Sequence, residues 1–360
     1  MENRRLKIAF LNIYNGVVDR GAETFVKELA SRLASRHEVN VFQSGDPKGN
    51  ELYQVTKIPI KWDWSQKSGV GTFTAFIFIN YWNRQIAKFT FKSLLRIYKE
   101  KYDVVIPVNG GWMPAIIRIV TWLNGPKMII SGQSGIGWDD RNNLWCFPNA
   151  FVAISSQARA WAKRVNPFVK VEYVPNGVDL NKFTAEGEKY RTELKKPIIL
   201  CVGALTKSKR IDMVIKAVAK IKNANLLVVG DGDLRDKIYN LGFKLLGKRF
   251  QLIKVSYEDM PKVYRVANVF TLPSESYYSF ENVLVEAMAT NLPVVANNDS
   301  IRKEIVGSGG ILVDPTNTNA YAQDLKRALE INWGGKPREQ AKKFDWDKIA
   351  KAYEDLIEKL

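Results

Sequence analysis

The chain has little of what most metal and nucleophile sites are built from. In 360 residues there is one histidine, His37, and two cysteines, Cys146 and Cys201. His37 sits in Arg36-His-Glu-Val, between a helix pattern and a strand pattern. That is far from a strand's C-terminal edge, where parallel α/β folds bind ligands, so it reads as structural. A histidine-based triad and a histidine metal site are therefore excluded. Two cysteines are too few for a disulfide framework, and Cys201 lies in an apolar strand pattern as a small hydrophobe, which points to a reducing cytoplasm. Long hydrophobic runs are also missing. The longest, Val70 to Trp82, is broken by Thr72, Thr74 and Asn80, short of the roughly 20 residues that span a bilayer. The opening MENRRLKIAFLNIY is basic but runs into a strand pattern too short for a signal peptide, so none is expected. The sequon Asn298-Asp299-Ser300 has nothing else beside it to suggest secretion.

Acidic residues are outnumbered, 37 against 54 lysines and arginines, for a net charge of +17. Such an excess implies an anionic partner: nucleic acid, an acidic membrane surface or phosphorylated substrates. The basic residues are dispersed and no nucleic-acid recognition motif is present, so nucleic acid is not expected. With 46% apolar and 25% charged residues, the composition is that of a soluble globular protein, long enough for two domains.

Strand and helix patterns alternate, which predicts parallel α/β layers. Strand patterns cover Leu6–Asn12, Val39–Phe42, Val104–Val108, Lys127–Ser131, Phe151–Ile154 and Val171–Val174, with a helix over Ala22–Ser35. A second series begins at Pro197, with strands over Ile198–Gly203, Leu226–Val229, Gln251–Val255, Val269–Leu272, Val294–Ala296 and Gly310–Val313. The polar stretch from Asp179 to Lys196 separates the two. The last segment, Asp345–Leu360, is an amphipathic helix with Trp346, Ile349, Ala350, Tyr353, Leu356 and Ile357 on one face. Two Rossmann-like halves facing a central cleft would bring strand C-terminal ends, and ligands, to that cleft.

Several segments sit where such ligands bind. Pro273 to Ala296, PSESYYSFENVLVEAMATNLPVVA, is turn-rich and then helical. It can point backbone amides and a positive helix end at a phosphate, with Glu286 one turn in to accept hydrogen bonds from ribose hydroxyls. Gly203-Ala-Leu-Thr-Lys-Ser-Lys-Arg-Ile-Asp212 follows a strand directly, and Lys209 and Arg210 can neutralise a diphosphate. Gly230-Asp-Gly-Asp-Leu-Arg235 also follows a strand but lacks the third glycine of a dinucleotide fingerprint. In Ser131-Gly-Gln-Ser-Gly-Ile-Gly-Trp138, Gln133 or Ser134 can bond a sugar hydroxyl, and Asp139 or Asp140 can touch acceptor or donor. Trp82–Lys101 carries Ile86, Phe89, Leu94, Ile97 and Tyr98 among Arg84, Lys88, Lys92, Arg96, Lys99 and Lys101. It reads either as a core-facing helix with a solvated basic face or as an interfacial helix on an anionic membrane.

These segments resemble the motifs of retaining GT-B glycosyltransferases of the large group 4 family. Pro273, Ser274, Phe280, Glu286, Ala287, Ala289, Pro293 and Val294 match its signature Pro-Ser-x-x-Glu-Gly-Phe-Gly-x-x-x-x-Glu-Ala-x-Ala-x-Gly-x-Pro-Val. The first family glutamate falls on Tyr278, and its glycines fall on Ser279 and Glu281. Gly203, Leu205, Lys209 and Asp212 match Gly-Arg-Leu-x-x-x-Lys-Gly-x-Asp, with Ala204 at the arginine and Arg210 at the glycine. Gly230 to Arg235 resembles Gly-Asp-Gly-Pro-Leu-Arg, Pro175 to Asp179 resembles Pro-Asn-Gly-Val-Asp, and Arg20-Gly-Ala-Glu23 resembles Gly-Gly-Ala-Glu.

The resemblance implies a GT-B fold: an N-terminal acceptor domain over 1–180, a donor domain over 181–342, and a C-terminal helix, 343–360, crossing back to the first. It implies transfer of a hexosyl or N-acetylhexosaminyl group, with retention, from a nucleotide-sugar, most simply a UDP-sugar, to a glycan or lipid-linked acceptor. The setting would be cell-surface polysaccharide or lipid-linked glycan synthesis. No metal or other cofactor is expected, and the location would be cytoplasmic, peripheral on the inner membrane face. Lys209, Arg210 and Glu286 would carry catalysis. Donor contacts would come from Gly21, Gly203, Gly230, Gly232, Phe280, Asn282 and Val283, and Tyr278, Ser279 or Glu281 would touch the transferred sugar. Gln133, Ser134, Asp139 and Asn176 are the sugar or acceptor candidates. The alternative is a degenerate relative that binds nucleotide-sugar or acts as a scaffold without turnover. A sugar-nucleotide epimerase shares the fold type, but its usual histidines are absent.

Overall fold

The computed structural model describes residues 4–18, 20–66, 71–275 and 280–360. The chain divides into two compact units, Met1–Asn176 with Asp347–Leu360, and Gly177–Trp346.

In unit 1 the elements run β1 (Lys7–Leu11), α1 (Gly21–Leu33), β2 (Glu38–Gln43), β3 (Gln54–Lys57), α2 (Phe73–Phe76), α3 (Tyr81–Glu100) and β4 (Val104–Pro107). They continue α4 (Met113–Asn124), β5 (Lys127–Ser131), α5 (Trp138–Trp145), β6 (Ala150–Ala153), α6 (Ser156–Val165) and β7 (Val171–Tyr173). The seven strands are parallel in the order β3-β2-β1-β4-β5-β6-β7. β4 and β6 are buried along their whole length, as strands covered by helices on both faces must be. Side-chain caps fix where helices start: Asn80 accepts from the Asn83 amide at 3.0 Å and Ser155 from the Ala158 amide at 3.0 Å. Each is worth about 1 kcal/mol. β3 escapes sequence reading because it is an edge strand in which only Thr56 is buried.

Unit 2 runs β8 (Ile198–Val202), α7 (Ile211–Ala219), β9 (Asn225–Val229), α8 (Arg235–Leu246), β10 (Phe250–Ile253), α9 (Met260–Tyr264) and β11 (Val269–Leu272). It continues α10 (Asn282–Ala289), β12 (Val294–Asn297), α11 (Ser300–Val306), β13 (Gly310–Val313), α12 (Thr318–Glu330) and α13 (Lys336–Ala341). Its six parallel strands are ordered β10-β9-β8-β11-β12-β13. Both units are thus Rossmann-like parallel sheets with helices. The units divide at 176 and 346, where the sequence suggests 180 and 342. Val178 forms a parallel bridge with Asp345 and its amide donates to the Phe344 carbonyl at 2.7 Å, so both connecting segments belong to unit 2.

The final helix, α14 (Trp346–Glu358), returns to unit 1 from Asp347 onward. All six residues of its expected apolar face are buried. Tyr353 donates to Ser131 Oγ at 2.9 Å, and Arg32 and Arg36 pair with Asp347 and Glu354 at 2.6 and 2.9 Å. His37 lies in this seam, 3% exposed, accepting from the Leu6 amide at 3.3 Å and facing Glu354. Its reading as structural follows from those contacts.

The apolar face suggested for Trp82–Lys101 needs correcting. Ile86, Phe89 and Ile97 lie in the unit 1 core with Leu94 packed against it, whereas Tyr98 is exposed. The burial of Ile86, Phe89 and Ile97 follows helical spacing, and Tyr98 points almost a third of a turn away.

Candidate functional site

In unit 2 the loops that leave β8, β9 and β11 meet at the C-terminal edge of the sheet. The first two are locked together by backbone. The Leu205 amide donates to the Asp231 carbonyl and the Leu234 amide to the Leu205 carbonyl, each at 2.9 Å. At Gly230 a Cβ would stand 2.0 Å from the Gly203 carbonyl oxygen, so only glycine allows this approach. The β11 loop joins them through the Glu275 amide, which donates to the Ser208 carbonyl at 2.9 Å.

Lys209 ends a short 3-10 turn, Lys207–Lys209, and its Nζ lies 2.7 Å from Glu281 Oε1. Glu281 stands at the N-cap of α10, 5% exposed, and the same oxygen lies 3.3 Å from Arg302 Nη2. Arg302 is wholly buried and also pairs with Asp299 at 3.6 Å. A buried arginine between two carboxylates holds both in place, because taking any one of these charges out of water unpaired is costly. The neighbouring Arg210 has φ of 51°, in the left-handed region, at the position where the family pattern has glycine. Its guanidinium reaches Glu275 at 3.6 Å.

Glu286 lies on the second turn of α10, 5% exposed, and accepts a hydrogen bond from the Tyr264 hydroxyl at 2.8 Å. Burial, and then the Glu286 charge, raise the Tyr264 phenol well above its ordinary pKa, so it stays a donor. Phe280 packs its ring against Phe344, with centroids 5.5 Å apart, and is buried. Asn282 and Val283 open α10 and are half-buried, leaving the first turn of that helix accessible. Tyr278 and Ser279 lie outside the described residues.

Unit 1 has its own edge. Gly21 is the first residue of α1. Glu23, two residues on, is 5% exposed and accepts from Asn12 Nδ2 at 3.2 Å. Burial pushes its pKa up, opposed mainly by the Asn12 bond. Gln133 and Asn176 exchange two amide hydrogen bonds, of 3.0 and 2.9 Å, so two candidates 43 residues apart are brought together. Ser134 and Asp139 are exposed in the loop after β5 and at the start of α5. Asp140 is 2% exposed, and burial pushes its pKa up to about 8, against the pull of the Asn143 amide at 3.0 Å. Among the described residues no group of three metal-ligating side chains could hold a metal ion.

Lys209, Arg210, Glu281 and Glu286, the candidates that the sequence offers in this unit, lie at this sheet edge, while Arg302 falls in no motif. Its one local signal is Asp299, which caps α11 by accepting from the Ile301 and Arg302 amides at 3.1 and 2.9 Å and fixes the start of the helix that carries it.

Two parallel sheets whose strand-end loops carry glycines, a lysine and a helix start form edges of the kind at which α/β proteins bind anionic ligands. The comparisons are more specific. The model of Glycosyltransferase Family 4 matches residues 20–182, and that of Glycosyl transferases group 1 matches residues 182–345. Together they cover most of the chain, which belongs to the group 1, family 4 glycosyltransferases. An uncharacterized glycosyltransferase of Methanocaldococcus jannaschii is 32% identical over 209 residues, 51% of this chain and 53% of its own length. The N-acetylgalactosamine-N,N'-diacetylbacillosaminyl-diphospho-undecaprenol 4-alpha-N-acetylgalactosaminyltransferase of Campylobacter jejuni is 31% identical over 193 residues, 51% of this chain and 52% of its own. The chain thus spans about half the length of the curated relatives it matches. Among solved structures, sucrose-phosphate synthase from Thermosynechococcus elongatus superposes with a TM-score of 0.77 at 22% identity, covering 99% of each chain. Anabaena HepE, solved with UDP and glucose, gives 0.77 at 16% identity over 99% of this chain and all of that one. At these identities the structural likeness shows the fold, which is GT-B.

Proposed function

We propose that the protein transfers a sugar from a nucleotide-sugar, a UDP-sugar, to an acceptor hydroxyl with retention of anomeric configuration. The observation that carries this reading is the meeting of Lys209, Arg210 and the first turn of α10 at one sheet edge. Cations and helix-start amides are what a diphosphate leaving group needs as its charge develops. The UDP complexes of the similarly folded Anabaena protein support the choice of donor base.

In this reading the bond from the anomeric carbon to the β-phosphate oxygen breaks and its electron pair leaves with UDP. The acceptor oxygen bonds on the same face, and its proton goes to the departing phosphate. Lys209 exchanges Glu281 for the diphosphate, Arg210 turns from Glu275 toward it, and Glu286, oriented by Tyr264, accepts from the ribose. No metal is required by this residue set. The acceptor is a glycan or a lipid-linked saccharide, which the undecaprenol-linked substrate in the name of the Campylobacter relative supports.

The test is UDP release from a panel of UDP-sugars with wild type, Lys209→Ala and Glu286→Ala. Lys209→Ala should cost about 10²-fold or more in turnover, the usual effect of removing one donor to a developing anion. Unchanged transfer by both variants would falsify the reading. The second reading, a binding protein without turnover, is favoured by the buried Glu281 that already neutralises Lys209, and by Ala204 at the family arginine. Stabilisation by a UDP-sugar in a thermal shift, with no UDP released in the presence of any acceptor, would establish it.

A further inference from the structure

The C-terminal edge of the unit 1 sheet carries aromatic rings that nothing so far has used, in two clusters. After β3, Trp62 stacks on both Tyr14 and Trp64, with ring centroids 5.3 Å apart in each pair and interplanar angles of 24° and 26°. Trp82, in the first turn of α3, closes on Trp64 at 5.6 Å. After β5, Trp138 at the start of α5 stacks on Phe76 of α2 at 4.2 Å and 19°. Each cluster keeps rings open to solvent: Trp64 is 51% exposed, Phe76 50% and Trp138 44%. These rings are fixed in place. The Trp138 indole donates to the Phe76 carbonyl at 2.7 Å, and the Asp63 amide donates to the Tyr81 hydroxyl at 2.7 Å, which ties the Trp62–Trp64 segment to α3. An exposed ring that is already held loses little further freedom when a ligand settles on it.

A second, independent observation is the acid next to each open indole in the chain. Asp63 separates Trp62 from Trp64 and is exposed. It accepts from the Ser65 hydroxyl at 2.6 Å and from the Gln66 side-chain amide at 2.7 Å, and these bonds, Ser65 first, hold its pKa below the ordinary value. It is therefore a charged acceptor at neutral pH. Asp139 follows Trp138 directly and is also exposed, with Ser134 in the same loop. A lipid tail laid on such a surface would strip water from the carboxylates and return no hydrogen bond. A phosphate would be repelled. A neutral sugar meets both features: the C–H face of a pyranose packs on an indole ring while the hydroxyls at its rim donate to a carboxylate.

We propose that this edge of unit 1 is an extended saccharide site, in which one sugar ring stacks on Trp64 and another ring of the same glycan stacks on Trp138 and Phe76. The strands that lead into the two clusters, β1 and β3 on one side and β5 on the other, stand at least two strand spacings apart, about 10 Å, which is wider than one pyranose. The ligand is therefore a neutral oligosaccharide rather than a monosaccharide. The stretch between the clusters is fixed as well, since the Trp112 indole donates to the Phe78 carbonyl at 3.0 Å. Trp138 adjoins the acceptor candidates Ser134 and Asp139, which puts the reacting end of the glycan on that side and its tail on Trp64. The proposal deepens the transfer reading and rests on it for the glycan's role as acceptor, while binding itself is measured without turnover.

The experiment is calorimetric titration of the full chain, without UDP-sugar, with maltotetraose, cellotetraose and chitotetraose and with glucose and N-acetylglucosamine. At least one tetrasaccharide should bind about ten-fold or more tightly than its monosaccharide, because it fills two stacking positions at once. Trp64→Ala and Trp138→Ala should each weaken that binding about ten-fold, and Trp64→Phe, which keeps a ring, about three-fold at most. Asp63→Ala should weaken it about three-fold or more. Tyr239→Ala/Phe243→Ala, at an exposed stacked pair of unit 2, should bind as wild type does. Melting temperatures read alongside separate lost binding from lost folding, and Asp63→Ala, at an exposed position, tests the site by itself if a tryptophan variant melts early. No binding of any tetrasaccharide, equal affinity for tetrasaccharide and monosaccharide, or equal loss in the unit 2 variant would each overturn the proposal. So would binding to phosphatidylcholine vesicles that Trp64→Ala abolishes and Asp63→Ala strengthens, which would make a lipid the occupant. UDP release by a protein that binds no glycan would sink this site and leave transfer standing, whereas glycan binding without UDP release would uphold the site and sink transfer.

Discussion

The two units build the same kind of sheet edge and treat buried carboxyl groups in opposite ways. In unit 2, Glu281 faces two cations, Lys209 and Arg302. In unit 1, Glu23 and Asp140 are buried as deeply but face the side-chain amides of Asn12 and Asn143. An amide does little to offset the loss of water around a carboxylate, so burial dominates and the pKa rises in both. Carboxyl groups buried to the same depth thus meet different partners, cations in unit 2 and amides in unit 1. For ligands, the unit 2 edge offers cations, whereas the unit 1 edge offers side-chain amides and carboxyls whose pKa burial raises.

The comparison is broken most severely at Arg302. Replacing it by Met leaves the buried Glu281 without one of its two cations and the half-buried Asp299 without its arginine, and should cost about 3–5 kcal/mol, read by urea unfolding. A loss below 1 kcal/mol would show that Lys209 alone suffices for Glu281.

The unit 1 side is sharpened by Asp140. Its pKa rises from about 4 unfolded to about 8 folded, so the folded state holds the proton more tightly. Stability is then greatest below the unfolded value and falls as pH climbs from about 4 to 8. Asp140→Asn keeps an acceptor for Asn143 and cannot ionise. It should be more stable than wild type at pH 8 by on the order of 3 kcal/mol, with the difference gone at pH 4. Parallel stability curves for the two proteins across that range would refute the assignment.

The smallest effect is expected at Arg210. Arg210→Gly removes a side chain from a left-handed backbone position and gives up only a 3.6 Å contact with Glu275. It should change folding stability by no more than about 1 kcal/mol, toward greater stability, while weakening UDP binding. Calorimetric titration with UDP beside a thermal melt separates the two effects, and tighter UDP binding would remove Arg210 from the diphosphate site.

How much could be read from the sequence varies by residue. The position of Glu286 on a helix is legible because the second half of the signature is intact and local: a helix start, an acid one turn in, and a following buried strand. The apolar face of α14 was found because period 3.6 is visible in one stretch. The loop that carries Lys209 is legible as one that follows a strand, but its pairing with Glu281, 72 residues away, has no local trace, and neither does the exchange between Gln133 and Asn176. The face of α3 was misread for the same reason. With five apolar residues spread round the helix, spacing could not say which of them another element would cover, and the sheet took Ile86, Phe89 and Ile97 but left Tyr98 in solvent.

The sequence by itself determined the family, the alternation of strands and helices, and the loops in which charge would gather, because each of these is written in short spans with a fixed period or motif. Tertiary structure alone decided which charges pair, which acids have their pKa raised by burial and which side of α3 meets solvent. Those outcomes depend on distances and desolvation set by segments far apart in the chain, and no local pattern encodes them.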